Sequence, residues 1–134
     1  MGYFSRKHKL PRFPESLIPT FRRLCEPLPV EAVPDIRGDL DECVRNLQLA
    51  SEANKRINVH RILQIQERCE YLLGRYESFS REQQALVIGA LRYFVIVDDT
   101  LADDTFITGF DDDAKVVNYV LEELGIEDQF IPID

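Results

Sequence analysis

The sequence predicts an all-α fold, a small single-domain bundle of about four to five helices. Apolar residues recur at spacings of three and four over several long segments, the pattern of helices with one buried face. No segment shows the sustained alternation of a β-strand. The chain of 134 residues is the size of one domain, and a hydrophobic share of 45% with 30% charged residues is typical of a globular protein.

The N-terminal segment differs from the rest of the chain, because residues 1–37 contain six of the seven prolines and seven Lys or Arg against four Asp or Glu. Leu17, Phe21 and Leu24 share one face of a possible short helix over 15–25. We therefore divide the chain into a Pro-rich basic arm, 1–37, and a helical domain, 38–134.

The first long helix is predicted to begin near Asp39, whose carboxylate is placed to cap its N-terminus. A second helix follows, with Asn58 as its predicted cap and an end near Glu77. The first helix is predicted to bury Leu40, Cys43, Val44, Leu47 and Ala50, and the second Val59, Ile62, Leu63, Gln66, Cys69, Leu72, Leu73 and Tyr76.

The third helix is predicted to open at Ser80, which with Gln83 forms the sequence pattern of a capping box, and to run through Val97. It is apolar almost all round, which predicts the central, buried helix of the bundle. A fourth helix ends at Gly125, a residue suited to a helix C-terminus. The residues of this fourth helix that we expect in the core are Val116, Val117, Val120, Leu121 and Leu124.

Charge and composition exclude several classes of protein. Residues 81–134 carry three Lys or Arg against thirteen Asp or Glu, a poor surface for a phosphate backbone. The longest apolar stretch, 85–97, is too short to span a bilayer, and the N-terminus lacks the apolar run of a secretory signal. Three cysteines without CxxC spacing argue against a disulfide framework or a zinc site, so we expect a cytoplasmic protein.

An aspartate-rich segment precedes the last helix. Residues 98–113 hold seven aspartates and no Lys, Arg or His, and carboxylates crowded together raise one another's pKa. Two interpretations stay open. Asp99, Asp103, Asp112 and Asp113 converge on Mg²⁺ or Ca²⁺; or Asp112 or Asp113 caps the last helix while the others bind backbone N–H groups and solvent.

The same segment resembles a known family. Residues 93–117, YFVIVDDTLADDTFITGFDDDAKVV, resemble the characteristic stretch of the YkvA-like family, domain of unknown function 1232. The family pattern runs tyrosine, P-x-D, L-I-P-D, glycine and a paired D-D that opens a helix. Aligned without a gap, its tyrosine, aspartates and glycine fall on Tyr93, Asp99, Asp103, Gly109, Asp112 and Asp113.

This chain departs from the family pattern at the three prolines, which are replaced by Val97, Ala102 and Phe106. It is therefore similar to a divergent member, and the resemblance covers about residues 80–124. It implies a small helical domain, found largely in bacteria and sometimes membrane-associated, without an agreed activity. Tyr93 and Gly109 would be structural residues of the loop.

Function is predicted in three versions. The first is a non-catalytic protein-interaction or scaffold module, which binds a protein partner or associates with itself. His8 and His60 lack a Cys or Ser partner in sequence, and no nucleophile or phosphate-binding motif is present. The second is a divalent-cation-binding domain that uses the aspartate-rich loop, and the third an acidic mimic of nucleic acid. The predicted partner-binding residues of the arm are Tyr3, Phe4, Phe13 and Phe21.

Overall fold

The computed structural model describes residues 18–96 and 110–133. The described residues form five α-helices and two short 3₁₀ turns, and they contain no strand, which confirms the predicted all-α bundle. The helices are α1 (Ile18–Leu24), α2 (Val33–Ala53), α3 (Val59–Gly74), α4 (Arg81–Ile96) and α5 (Asp111–Glu123), with the 3₁₀ turns Val30–Ala32 and Tyr76–Ser78.

Helix α2 begins earlier than predicted. It starts at Val33 and not near Asp39, so its first turn lies inside the segment assigned to the arm. Pro34 is in this first turn, where backbone N–H groups have no partner within the helix, so a proline costs no hydrogen bond there. Asp39 therefore lies inside the helix and does not cap it.

Helix α3 begins at the predicted cap, since the Asn58 side chain accepts a hydrogen bond of 3.0 Å from the Arg61 N–H. It ends at Gly74, short of Glu77. Its buried face differs in part from the predicted one: Ile65 is fully buried, whereas Leu63 is 41% exposed and Val59 and Gln66 are only partly buried. The other predicted residues of this helix are buried as expected: Ile62, Cys69, Leu72 and Leu73.

The capping box of α4 is confirmed in both directions. The Gln83 N–H donates to Ser80 Oγ at 3.2 Å, and the Ser80 N–H donates to Gln83 Oε1 at 2.9 Å. Helix α4 packs against α1, α2, α3 and α5, so it is the central helix of the bundle. Val87, Ile88, Ala90, Leu91 and Phe94 are the residues of α4 that are at most 1% exposed.

The C-terminal end of α5 is closed as the sequence predicts. Gly125 has a φ of 75°, its N–H donates to the Glu122 carbonyl, and the Ile126 N–H donates to the Leu121 carbonyl at 2.9 Å. These two bonds form a Schellman motif, in which glycine avoids the strain of a left-handed conformation. The predicted core residues Val116, Val117, Val120 and Leu121 are fully buried, and Leu124 is partly buried against them.

The segment after α5 folds back over the bundle. Asn118, a buried residue of α5, donates to the Ile131 carbonyl at 2.9 Å and accepts from the Ile131 N–H at 2.7 Å. Arg68 of α3 donates to the Gln129 carbonyl at 2.9 Å. In the described part of the chain, no helix is long and apolar enough to cross a bilayer.

Candidate functional sites

The structure describes only some of the residues predicted to act. Asp99, Asp103 and Gly109 of the aspartate-rich loop lie outside the described residues, and so do Tyr3, Phe4 and Phe13 of the arm. The remaining predicted residues fall on three helices: Phe21 on α1, Tyr93 on α4, and Asp112 and Asp113 on α5.

Helix α5 starts at a strained residue. Phe110 precedes the helix with φ 58° and ψ 28°, a left-handed conformation that is uncommon for a bulky side chain. Its ring is 3% exposed and meets the ring of Phe94 edge to face, with the centroids 6.2 Å apart. Burial of this ring offsets the backbone strain.

Neither Asp112 nor Asp113 caps the helix, so that part of the prediction is wrong. Phe110 occupies the capping position, without a side-chain hydrogen bond, and Asp111 is the first helical residue. The aspartates lie in the first turn, where the helix dipole favours negative charge.

The three aspartates of this turn have different surroundings. Asp111 is exposed, and its Oδ1 accepts a hydrogen bond of 2.6 Å from Nη1 of Arg61. Asp112 is half-buried. Asp113 is buried, and its Oδ1 has no hydrogen-bond partner among the described residues. Burial, and then the charge of Asp112, raise the pKa of Asp113 well above its ordinary value.

Asp113 lies at the junction of three helices. Burial raises the pKa of Tyr93, a half-buried residue of α4, and the charges of Asp113 and Asp112 raise it further. Burial and the charge of Asp113 likewise raise the pKa of the Cys69 thiol on α3. The charges of Asp112 and Asp113 on α5 therefore act on Tyr93 of α4, the helix against which α5 packs. Among the described residues, no group of three or more His, Cys, Asp or Glu is placed to hold a metal ion.

Phe21 is a core residue and offers no surface to a partner, which corrects its predicted role. It is 3% exposed, and its ring meets that of Tyr119 edge to face at 6.1 Å. Its position depends on Gly89 of α4, which sequence reasoning missed: a Cβ at Gly89 would lie 2.4 Å from Cys25 Sγ and 3.0 Å from Phe21. The missing side chain lets α1 lie close against α4.

A groove of about 400 Å³, open on one side, lies between α2 and α4. Its volume is at the lower end of the roughly 300–1,000 Å³ typical of ligand pockets. Sequence reasoning did not find it, because its walls come from three separate segments. Its apolar lining includes Leu24, Leu28, Ile36, Ile88, Leu91 and Val95.

The wall of the groove near Leu28 is fixed by a buried tyrosine. The Leu28 N–H donates to the Tyr76 hydroxyl oxygen at 2.9 Å, and that hydroxyl donates to the Leu28 carbonyl at 2.6 Å. Tyr76 is only 1% exposed, so it ties the segment between α1 and α2 firmly to the core. The wall of the groove at Leu28 is therefore held in place by hydrogen bonds to a core residue.

The charged residues of the groove give it an acidic character. Asp35 and Asp39, one helical turn apart on α2, are exposed and line it. Neither carboxylate has an ion-pair partner within the described ranges. Arg92, the cation of the groove, already binds Glu26 at 3.0 Å and the Leu24 carbonyl at 3.3 Å. The apolar floor of the groove thus adjoins two negative charges that no cation of the described residues pairs.

Comparison with family models, curated proteins and solved structures gave no match. The resemblance to the YkvA-like family therefore stays a prediction that rests on residues 93–117.

Proposed function

We propose that this chain is a non-catalytic protein-interaction module that binds a segment of polypeptide in the groove between α2 and α4. The observation that carries the proposal is the groove itself, an apolar trough whose lining includes Leu28, Ile36 and Val95. Hydrophobic grooves between helices are one of the recurring places where a protein holds a segment of another chain.

The charge of the groove defines the chemistry of its ligand. Asp35 and Asp39 present two negative charges that described cations leave unpaired, and the whole chain has a formal charge of −8. A ligand segment with Lys or Arg on one side and large apolar residues on the other fits both features. Such charges also speed association with a basic partner and make binding weaken as salt increases.

Binding of designed peptides tests this proposal. We would measure, by fluorescence anisotropy, the affinity for a 14-residue peptide of Lys, Arg, Leu and Phe, and for a matched peptide with Glu in place of the basic residues. Asp35→Lys with Asp39→Lys should weaken binding of the basic peptide by about tenfold, equivalent to about 1.4 kcal/mol. The matched control, Glu42→Lys with Glu52→Lys, changes two exposed residues of the same helix.

A second pair of variants tests the apolar lining. Ile36→Gln should weaken binding of the same peptide, whereas Leu49→Gln, on α2 but outside the groove and 59% exposed, should not. Equal affinities in the groove and control variants, or equal affinities for the basic and acidic peptides, would contradict the proposal.

Divalent-cation binding is a second candidate, supported by one observation: the buried Oδ1 of Asp113 has no partner among the described residues. Mg²⁺ is commonly held by one or two carboxylates and several waters, and Asp112 and Asp113 are neighbours. The sequence adds Asp99 and Asp103 as further ligands, outside the described part. A proton on Asp113 would neutralise the same charge, so the test must separate the two.

Thermal unfolding at fixed pH makes that separation. A cation present at 100 times its dissociation constant adds about 2.7 kcal/mol to the free energy of unfolding. Mg²⁺ or Ca²⁺ should raise the melting temperature by several degrees over a chelator control, and Asp99→Asn with Asp103→Asn should abolish that shift. Stabilisation by a proton alone would follow pH and ignore the cation.

A further inference from the structure

The walls of the groove offer few hydrogen-bond partners to the backbone of an incoming chain. Of the described residues that line it, only Leu28 lies outside a helix or a 3₁₀ turn, and both its N–H and its carbonyl bind the Tyr76 hydroxyl. The Leu24 carbonyl, at the end of α1, accepts from Arg92 at 3.3 Å. Backbone groups inside a helix bond to one another, so the described walls have no continuous row of free donors and acceptors.

This lack of backbone partners decides which conformation of a ligand the groove can hold. An extended segment pressed into the apolar trough would lose water from its own N–H and carbonyl groups without gaining partners for them, which costs free energy at each group. A helical segment pairs those groups within itself and presents only side chains. The groove therefore favours a helical ligand.

Other recurring ways of binding a peptide do not fit the lining. Addition of a strand requires a free sheet edge, and recognition of a Pro-rich segment requires a groove lined by aromatic rings. The described residues form no strand, and none of those that line the groove is aromatic. A helix that lays its apolar face into a hydrophobic groove is the mode that fits.

The dimensions and charges of the groove indicate the pattern of the ligand helix. Along α4 the lining runs from Ile88 to Val95, about 10 Å or two helical turns, which apolar residues at i, i+3 or i+4, and i+7 would cover. Asp35 and Asp39 lie four residues apart on α2, about 6 Å along its axis. Two Lys or Arg four apart on a helix have the same separation.

We infer that the segment held by the groove is an amphipathic α-helix, with an apolar stripe at spacings of three and four residues and two basic residues four apart along one edge of that stripe. The stripe packs on Ile36, Leu91 and Val95, and the basic edge faces Asp35 and Asp39. This inference rests on the proposed function and names the class of its ligand.

Two peptides of identical composition test the inference. One has its apolar residues at helical spacing and two Lys four apart on one edge of the stripe, and the other alternates apolar and polar residues. The helical peptide should bind about tenfold more tightly by fluorescence anisotropy, because only it presents one apolar face while pairing its backbone. A proline at a solvent-facing position in its middle should remove this advantage, and an alanine there should not.

NMR of the helical peptide, isotope-labelled, reports its conformation when bound. Its Cα chemical shifts should move downfield, as in a helix, on addition of the unaltered chain, and much less on addition of the Asp35→Lys with Asp39→Lys variant. A peptide with Glu in place of the two Lys should bind that variant about tenfold more tightly than the unaltered chain. The matched variant Glu42→Lys with Glu52→Lys should show no such gain.

The outcomes separate this inference from the proposed function. Binding that is sensitive to Ile36→Gln but leaves the peptide extended, or equal affinity for the two isomeric peptides, would overturn the inference and leave the proposed function standing. Absence of binding by either peptide would overturn both. A dimer of this chain that is lost in Asp35→Lys with Asp39→Lys, measured by sedimentation, would place a second copy in the groove and overturn the inference.

Discussion

The two ends of α5 differ in how they accommodate a left-handed residue and a buried polar side chain. At the C-terminal end, the left-handed residue is Gly125, which takes this conformation without strain. The buried Asn118 uses both its donor and its acceptor on Ile131. At the N-terminal end, Phe110 takes a left-handed conformation without being glycine, and Asp113 buries an oxygen that no described residue pairs. One end pairs its polar groups, and the other buries a carboxylate oxygen that no described residue pairs.

This difference separates structural polar groups from candidates for function. A buried polar group with all its partners is explained by the fold it supports. A buried carboxylate with an oxygen that no described residue pairs destabilises the fold unless a proton or a ligand neutralises it. A proton or a ligand at the start of α5 would therefore raise stability. The following four variants test the difference between the two ends of the helix, from the largest expected effect to the smallest.

Replacement of Asn118 by leucine should have the largest effect. Asn118→Leu leaves the buried N–H and carbonyl of Ile131 unpaired, which costs about 2–4 kcal/mol of the free energy of unfolding in urea. The segment after Gly125 should also exchange its amide hydrogens faster. Leu121→Ala, a core change on the same helix, should destabilise the protein without loosening that segment selectively; equal exchange in both variants would contradict the role of Asn118.

The Asp113→Asn variant should change the pH dependence of stability. Because the pKa of Asp113 is raised in the folded state, the folded protein keeps this proton to higher pH than the unfolded chain does. Its contribution to stability therefore falls as pH rises from about 4 towards the raised pKa, and is constant above it.

The asparagine variant lacks this titration, so it should equal the unaltered protein at pH 4 and exceed it at pH 8 by on the order of 1–3 kcal/mol. Urea unfolding at several pH values measures the difference. Asp128→Asn, an exposed change, should follow the unaltered protein throughout. Parallel curves for Asp113→Asn and the unaltered protein would show that the Asp113 carboxylate is neutralised in another way.

A smaller effect is expected at Gly125. Its φ of 75° is unfavourable for any residue with a Cβ, although a Cβ there would meet no atom within 4 Å. Gly125→Ala should therefore destabilise the protein by about 1 kcal/mol through the backbone alone. Gly38→Ala, inside α2 and equally unhindered, should raise stability by about 0.5–1 kcal/mol. Loss of stability in both variants would show that contacts of the added methyl group, and not backbone conformation, cause the effect.

The smallest effect should come from the ion pair at the start of α5. The Asp111 side chain is 63% exposed, and solvent screens its contact with Arg61. Asp111→Asn should cost less than about 1 kcal/mol, and most of that should disappear at high salt. A larger loss, independent of salt, would show that Arg61 holds α3 to α5 more firmly than its exposure suggests.

The sequence by itself determined the fold class and three of the helix ends. Asn58, the pair Ser80 and Gln83, and Gly125 act on backbone groups only a few residues away, so their roles can be predicted from local spacing. The apolar faces of α4 and α5 were equally clear. The start of α2 was not, because a 3₁₀ turn leads directly into it and proline is acceptable in a first helical turn.

Only the tertiary structure decided which residues of the candidate sites are buried and which meet. Leu63 and Ile65 lie on nearly opposite faces of α3, and packing against α2 and α5 places Ile65 in the core. The burial of Phe21 depends on a glycine 68 positions later, and the groove on three separate segments. Local spacing carries no information about such contacts, because they depend on how whole helices pack against each other.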